Sequence, residues 1–226
     1  MKLGVLFSGG KDSCLAMQKA MQQHEIACLI NVISQNEASY MFHVPNIHIA
    51  KMQAQAIGLP LVQKTTKGIK EKELDDLKDA LIEAKAKFQI EGIVTGAIKS
   101  VYQASRIQKL CDELKLQCLN PLWQRDEIGI LNELVKNKFK VIISGIFAFP
   151  LDKSFLGEMI DAEIIRKLEV LKEKYQINPA GEGGEIETTV LDAPFFKKQI
   201  QVLESEISYE NNAGIFRIKK AKLVQK

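Results

Sequence analysis

The sequence predicts an α/β protein with a domain built on a parallel sheet, followed by a second, smaller α+β domain. Through the first half of the chain, short aliphatic or β-branched runs alternate with longer stretches of helical period. That alternation is typical of a parallel sheet covered by helices on both faces. After Pro150 the pattern changes to one helical stretch, a glycine-rich segment and alternating strands. We therefore expect residues 1–120 to form the first domain and residues 121–226 the second.

The predicted elements up to residue 144 follow one another in order. Short apolar runs predict strands at 2–7, 27–34, 60–64, 92–96 and 117–119, with 140–144 as a further one. Stretches of helical period separate them at 12–22, 47–57, 69–88, 102–114 and 127–137. The helix at 69–88 is the clearest, because Leu74, Leu77 and Leu81 recur at spacings of three or four with charged residues between them.

The second domain has fewer elements. A helix is predicted at 158–175, and strands are predicted at 188–191, 198–208 and 214–222. The Asn-Asn-Ala-Gly segment at 211–214 is a turn signal between the last two strands. These strands are therefore expected to form an antiparallel hairpin.

Bulk composition narrows the classes of function. Hydrophobic residues make up 46% and charged residues 26% of the chain, as in ordinary soluble globular proteins. The net charge of +3 is spread without a basic block, which argues against a dedicated nucleic-acid binder, and no apolar run is long enough to span a membrane. The four cysteines form no CxxC pair, which argues against a zinc site and favours a cytoplasmic protein. The sequence is compatible with a homodimer.

The first motif that carries chemistry is the Ser-Gly-Gly-Lys-Asp-Ser segment at 8–13, which joins a predicted strand to a predicted helix. Gly9 and Gly10 let the backbone approach an anion, and the free N–H groups of the following helix point toward it. Lys11 adds a mobile positive charge, and the hydroxyls of Ser8 and Ser13 can donate to phosphate oxygens. The spacing differs from GxxxxGK[ST], the loop of the common NTPases.

An ordinary helix start is the alternative interpretation of this segment, with Asp12 or Ser13 as the cap. The complete motif, however, resembles the SGGxDS signature of the ATP pyrophosphatase (PP-loop) family. The resemblance implies a Rossmann-like sheet of the adenine nucleotide alpha hydrolase type and ATP as cofactor. It also implies attack of a substrate oxygen on the α-phosphorus, with Mg²⁺ neutralising the leaving pyrophosphate and Asp12 as the candidate metal ligand.

A segment after the second predicted strand lies where open α/β sheets bind ligands. It contains Tyr40, Met41 and His43. Local packing of the first two, or a hydrogen-bonded loop histidine, would explain these residues equally well.

The stretch after the fourth predicted strand reaches the same edge. Gly96 ends that strand, and Tyr102 and Arg106 lie four positions apart, so the two side chains would share a helix face. Arg106 is suited to pairing with phosphate, although a surface salt bridge is the commoner role of an arginine.

An acidic, glycine-rich segment at 181–188, GEGGEIET, is the strongest second signal. Glu182, Glu185 and Glu187 lie so close in sequence that a cation, a metal or solvent has to offset their repulsion. The alternative is a solvated loop without a binding role.

Several segments together resemble the diphthine-ammonia ligase family over essentially the whole chain: SGGKDS, SYMFH at 39–43, GAIKSVYQASR at 96–106, Pro-Leu-Trp at 121–123 and GEGGEIET. The resemblance implies that diphthine, a modified histidine on translation elongation factor two, is the substrate. Its carboxylate would be adenylated by ATP and then amidated by ammonium, with release of AMP and pyrophosphate.

The resemblance also suggests roles for the candidate residues. We expect catalysis from Lys11, Asp12 and Arg106. We expect ATP binding by Ser8, Gly9, Gly10, Lys11, Asp12, Ser13, Met41, His43 and Gly96. Carboxylates and aromatic rings attract the trimethylammonium group of diphthine, so substrate recognition is assigned to Tyr40, Tyr102, Glu182, Glu185 and Glu187.

Two alternatives stay open. A tRNA-modifying, thiolating ATP pyrophosphatase would use the same phosphate loop, but such enzymes generally show paired cysteines, a zinc module or a basic RNA-binding extension. A non-catalytic adenine-nucleotide sensor would use the same sheet, but it would not need Lys11 and Asp12.

Overall fold

The computed structural model describes residues 1–34, 45–67 and 73–226, which form two sheets. The strands of the first sheet are β1 (Lys2–Leu6), β2 (Glu25–Ser34), β3 (Leu61–Thr66), β4 (Gly92–Val94) and β5 (Gln117–Leu119). All are parallel, in the order β3-β2-β1-β4-β5. The predicted α/β fold is therefore confirmed. Because the chain builds outward from β1 in both directions, the switch point of the sheet lies between β1 and β4, where such sheets bind ligands.

The helices of the first domain pack on this sheet. They are α1 (Lys11–Ala20), α2 (Ala50–Ile57), α3 (Glu73–Phe88) and α4 (Val101–Leu114). Residues Ile47–Ile49, predicted as part of the second helix, form a short 3-10 turn that leads into α2. Leu77 and Leu81 of α3 are buried, as the spacing predicts, whereas the predicted start of this helix falls partly on residues 68–72, outside the described part.

The second sheet is antiparallel and has the order β7-β6-β9-β8. Its strands are β6 (Lys140–Ile146), β7 (Ile186–Asp192), β8 (Gln199–Glu210) and β9 (Ala213–Val224), and the helices around it are α5 (Glu127–Lys136), α6 (Ala162–Tyr175) and a 3-10 turn, Lys153–Phe155. The predicted hairpin is confirmed, because Asn211 and Asn212, with φ of 51° and 59°, make the turn between β8 and β9.

One of two predictions about this part of the chain is confirmed and the other is wrong. The strand predicted at 140–144 is β6, which belongs to the antiparallel sheet. The helix predicted from residue 158 begins at Ala162, because Asp161 accepts hydrogen bonds from the N–H groups of Glu163 and Ile164 and caps it there. The preceding residues instead run along β6, where Ile160 N–H donates to the carbonyl of Val141.

One hydrophobic core connects the two domains. Its largest cluster includes Leu15 of α1, Ile130 of α5 and Val190 of β7, all essentially inaccessible to solvent. The second sheet therefore packs against the first domain, and β7 is fixed beside the N-terminus of α1. In the described ranges, no helix combines the length and apolar character needed to cross a membrane.

Candidate active site

The phosphate loop, residues 8–13, connects the end of β1 to the first turn of α1. Gly9 has φ of 80°, a backbone conformation that glycine adopts without steric cost. No side-chain hydrogen bond caps the start of α1 at Gly10, so neither Asp12 nor Ser13 has the capping role of the alternative interpretation. The N–H groups of Gly10 and Lys11 bond to the hydroxyls of Ser8 and Thr188, and the dipole at this helix N-terminus still attracts anions.

The serines of the loop stabilise its shape. The hydroxyl of Ser8 accepts a hydrogen bond from Gly10 N–H at 3.2 Å and lies 3.2 Å from the hydroxyl of Ser13. Ser13 donates to the carbonyl of Gly10 at 3.1 Å. From the neighbouring helix α2, the amide of Gln53 donates to the carbonyl of Gly9 at 2.9 Å.

Strand β7 packs directly against the phosphate loop. The backbone N–H of Lys11 donates to Thr188 Oγ1 at 3.1 Å, and Val190 N–H donates to the carbonyl of Gly9 at 3.0 Å. Gln53 links the two segments, since it also donates to the carbonyl of Val190 at 2.7 Å. The end of the acidic segment therefore belongs to the same site as the phosphate loop, although 177 positions separate Lys11 from Thr188.

Lys11 is 2% exposed, and two of the three N–H donors of its amine have partners within the protein. The amine donates to Asp12 Oδ2 at 2.8 Å and to the carbonyl of Ala180. A buried ammonium requires such partners. Asp12 Oδ1 is also buried, but it has no hydrogen-bond partner in the described part of the chain, so this carboxylate retains capacity for a further donor or a cation.

Gly96 is needed where the chain leaves β4. A Cβ placed there would lie 2.8 Å from the backbone of both Asp12 and Ser13. Only glycine lets this segment pass so close to the first turn of α1, and the segment thereby forms one wall of the site.

A cavity of about 720 Å³ opens at the carboxyl edge of β1, β2 and β4. Its polar side includes the phosphate loop together with Asn31, Thr95, Glu182 and Glu187, and its apolar side includes Leu6, Val32, Leu77 and Ile107. Small-molecule sites are typically of this size, with few polar groups placed within apolar walls. The cavity is therefore large enough for a nucleotide with its phosphates at the loop.

Glu182 and Glu185 are held by backbone N–H groups. Glu182 Oε2 accepts from the N–H groups of Lys99 and Ser100 at 3.0 and 3.1 Å, at the N-terminus of α4, where the helix dipole stabilises a carboxylate. Glu185 Oε1 accepts from Asn178 N–H at 3.3 Å. The charge of Glu182 is therefore offset at the start of α4, whereas Oε2 of Glu185 is buried and has no hydrogen-bond partner among the described residues.

Glu187 differs from both. Its side chain lines the cavity, and among the described residues no hydrogen bond or ion pair reaches its carboxyl group. Burial raises the pKa of Glu187 to about 7, while the positive charge of Lys11 lowers it and the negative charge of Asp12 raises it further. The described residues contain no group of three His, Cys, Asp or Glu side chains arranged to hold a metal ion.

The remaining predicted site residues are only partly placed. Tyr40, Met41 and His43 lie outside the described residues. The guanidinium carbon of Arg106 lies 3.5 Å from the ring centroid of Tyr102, a cation–π contact within α4. Among described residues the cavity is lined from this helix by Gln103 and Ile107, and neither Tyr102 nor Arg106 is part of that lining.

Three polar residues of the site were missed by sequence reasoning. Asn31 is buried, and its amide donates to the carbonyl of Phe7 at 2.6 Å, at the strand end that leads into the phosphate loop. Gln53 and Thr188 hold the loop from α2 and β7. The available signal was a polar residue inside an otherwise apolar strand or helix face, which was present at Asn31 and Gln53.

Both halves of the chain match known families. The model of the diphthamide synthase N-terminal domain matches residues 1–118, and that of the diphthamide synthase C-terminal domain matches residues 126–224. A diphthine–ammonia ligase of Bos taurus is 37% identical over 227 residues, which cover 92% of this chain and 85% of that protein. The Homo sapiens protein of the same name is 36% identical over the same shares of both chains. The Schizosaccharomyces pombe protein is 32% identical over 95% of this chain and 38% of its own length.

Proposed function

Since the chain belongs to the diphthine–ammonia ligase family, we propose that it uses ATP to join ammonia to the diphthine carboxylate of translation elongation factor two. The observation that supports this most directly is the contact between Lys11 of the phosphate loop and Thr188 of the acidic segment, at 3.1 Å. It brings a nucleotide site and the second domain together around one cavity. A C–N ligase needs that arrangement, because ATP and the acceptor have to meet in one place.

The first step is adenylation. The N–H groups of the phosphate loop and the amine of Lys11 bind the pyrophosphate portion of ATP, and the diphthine carboxylate attacks the α-phosphorus. Positive charge at the loop stabilises the negative charge that develops on the departing pyrophosphate. No protein nucleophile is required, because the carboxylate of the substrate attacks directly.

Mg²⁺ fits the first step as a second source of positive charge. Magnesium commonly binds one or two carboxylates together with substrate phosphates. Asp12 suits that role, because its Oδ1 has no partner in the described ranges and Asp12 lines the cavity beside the loop. When bound, Mg²⁺ would neutralise charge on the phosphates.

The second step is attack of ammonia on the acyl adenylate, which gives the amide and AMP.

Recognition of the diphthine trimethylammonium group by Tyr40, Tyr102, Glu182 and Glu185 is part of the proposal, and so is the role of Arg106 at phosphate. A cytoplasmic location is consistent with the four free cysteines.

Mass spectrometry of elongation factor two carrying diphthine tests the function directly. The factor is incubated with the protein, ATP, Mg²⁺ and ammonium, and the nucleotide products are analysed in parallel. We expect amidation of diphthine and one AMP for each amide. AMP without amidation would favour the tRNA-thiolating alternative, and neither product would favour the nucleotide sensor.

A further inference from the structure

Glu187 lines the reaction cavity, and its carboxyl group has no hydrogen-bond or ion-pair partner in the described part of the chain. Glu187 pairs with Gly145 across β6 and β7. A Cβ at Gly145 would lie 3.1 Å from the Cβ of Glu187 and 2.7 Å from the ring of Phe147, so this part of the wall is tight and apolar. The missing side chain at Gly145 makes room for the glutamate.

Among the described residues, the charged groups that interact with Glu187 come from the first turn of α1. They are Lys11 and Asp12, and they interact with it through space. The amine of Lys11 already donates to Asp12 and to the carbonyl of Ala180, and no ion pair joins it to Glu187 within the described residues. Gly145 and Phe147, which face Glu187 from the β6 side, carry no charge. Within residues 1–34, 45–67 and 73–226, no positively charged side chain forms an ion pair with Glu187.

Amidation by ammonium requires a group in the site that accepts a proton. Near neutral pH the nitrogen donor is mostly ammonium, whose nitrogen has no lone pair and cannot attack carbon. It must first lose a proton inside the site. A positioned side chain accepts a proton best when its pKa lies near the working pH, and burial raises the pKa of Glu187 to about 7.

Resting on the proposed function, we infer that Glu187 binds the ammonium ion in the phosphate-loop cavity and takes the proton whose loss frees the nitrogen lone pair. The nitrogen then forms a C–N bond with the acyl carbon of the adenylate. The C–O bond to the adenylate phosphate breaks, and its electron pair leaves with AMP. The nitrogen releases a second proton to solvent, and Glu187 later returns the first one to solvent.

Ammonium fits this carboxylate better than the trimethylammonium group of diphthine does. Ammonium is small and has four N–H donors, and a carboxylate oxygen accepts charge-assisted hydrogen bonds strongly. Trimethylammonium presents methyl groups and no N–H. Glu187 also lies near Lys11, on the side of the cavity where the adenylate forms.

The test uses Glu187→Gln and two nitrogen nucleophiles. Glutamine keeps the shape of the side chain but does not act as a base, and hydroxylamine is uncharged at neutral pH, so it needs no proton acceptor before attack. With ammonium at pH 7, we expect the variant to lose about a hundredfold in amide formation. With hydroxylamine we expect hydroxamate formation, and with labelled pyrophosphate the exchange into ATP, to stay within about threefold of wild type.

The pH profile separates a proton acceptor from a residue that only shapes the wall. At fixed total ammonium, the wild-type rate should level off above pH 7, where Glu187 is ionised. The variant should instead follow free ammonia and rise about tenfold per pH unit through the same range. The deficit of the variant should therefore shrink as the pH is raised.

Several outcomes would overturn the inference while the proposed function stands. The first is an equal loss of rate with ammonium and hydroxylamine in Glu187→Gln, and the second is no loss with either. The third is a loss of amide formation that does not change with pH. The fourth is a loss of pyrophosphate exchange that added Mg²⁺ restores, which would assign Glu187 to the metal. If the wild-type protein forms neither amide nor hydroxamate, the proposed function itself fails and the inference falls with it.

Discussion

The phosphate loop and the acidic segment line the same cavity, but they are held in different ways. The loop is a run of six residues whose serines bond to each other and to its own backbone, with further contacts from Gln53 and Thr188. The acidic segment depends on distant partners, with Glu182 bound at the start of α4 and the carbonyl of Ala180 bound to Lys11. A short motif therefore predicts the first region, whereas the second takes its form from tertiary contacts.

Lys11 is where the two regions meet, and its replacement is expected to have the largest effect. Lys11→Met keeps much of the apolar stem and removes the charge that faces both Asp12 and the carbonyl of Ala180. Release of AMP and pyrophosphate should fall about a hundredfold or more, as when one preorganised charge-stabilising donor is lost from an active site. A coupled pyrophosphate assay measures this directly.

Lys19→Met is the matched control for this substitution. Lys19 lies on the same helix and forms a partly exposed ion pair with Glu133 at 2.6 Å, away from the cavity. Its loss should leave AMP release within about twofold of wild type, because such pairs contribute little. Similar losses in the two variants would mean that the charge of Lys11 acts on folding and not on the nucleotide.

Gly96→Ala tests whether the phosphate loop depends on its wall as well as on its own bonds. The new Cβ would meet the backbone of Asp12 and Ser13 at 2.8 Å, and backbone cannot rotate away as a side chain can. Displacing the loop by a fraction of an ångström should lower kcat/KM for ATP by about tenfold to a hundredfold. A variant with unchanged kcat/KM would show that the loop tolerates movement of its first helical turn.

Thr188→Val tests the contact between the regions from the other side. The change keeps the shape of the side chain but removes the acceptor for the buried N–H of Lys11. An unsatisfied buried donor costs about 1–3 kcal/mol, which we expect to appear as reduced stability in urea and a raised KM for ATP. Thr188→Ser retains the hydroxyl and should restore both values, and a serine variant as defective as valine would assign the role of Thr188 to its methyl group.

The same contrast explains what could be predicted from the sequence. The parallel sheet, the phosphate loop and the β8–β9 hairpin follow from local signals: apolar runs, paired glycines and an Asn-Asn turn. Local signals did not indicate which strands pair with β6, because a single apolar strand does not indicate its partner. Local signals also did not predict that Glu182 and Glu187 differ in their hydrogen bonding. Glu182 is bonded by the N–H groups of Lys99 and Ser100, which are distant in sequence.

Glu127→Gln is expected to have the smallest effect and tests how the acidic segment is anchored. Glu127 is 7% exposed and binds Lys99 of the first domain and, at 3.3 Å, Lys172 of α6. Asn178, three residues before the acidic segment, donates to Glu127 at 3.5 Å. At pH 7 the variant should lose about 1 kcal/mol of stability, because the two lysines are substantially exposed and water screens them.

The dependence of stability on pH tests the contribution of the Glu127 ion pairs more directly. The hydrogen bond from Lys99 lowers the pKa of Glu127 from its ordinary value of 4.5 to about 2. Folding therefore favours the ionised form, so its contribution is complete above about pH 4.5, declines as the pH falls and is lost near pH 2. Urea denaturation across this window should show a smaller decline in Glu127→Gln than in wild type. Glu163→Gln, which removes an exposed pair with Lys167, is the control and should decline as wild type does. If stability declines equally in Glu127→Gln and in that control, the ion pairs of Glu127 with Lys99 and Lys172 contribute nothing measurable. The acidic segment would then be held by its contacts to α4 and to Lys11.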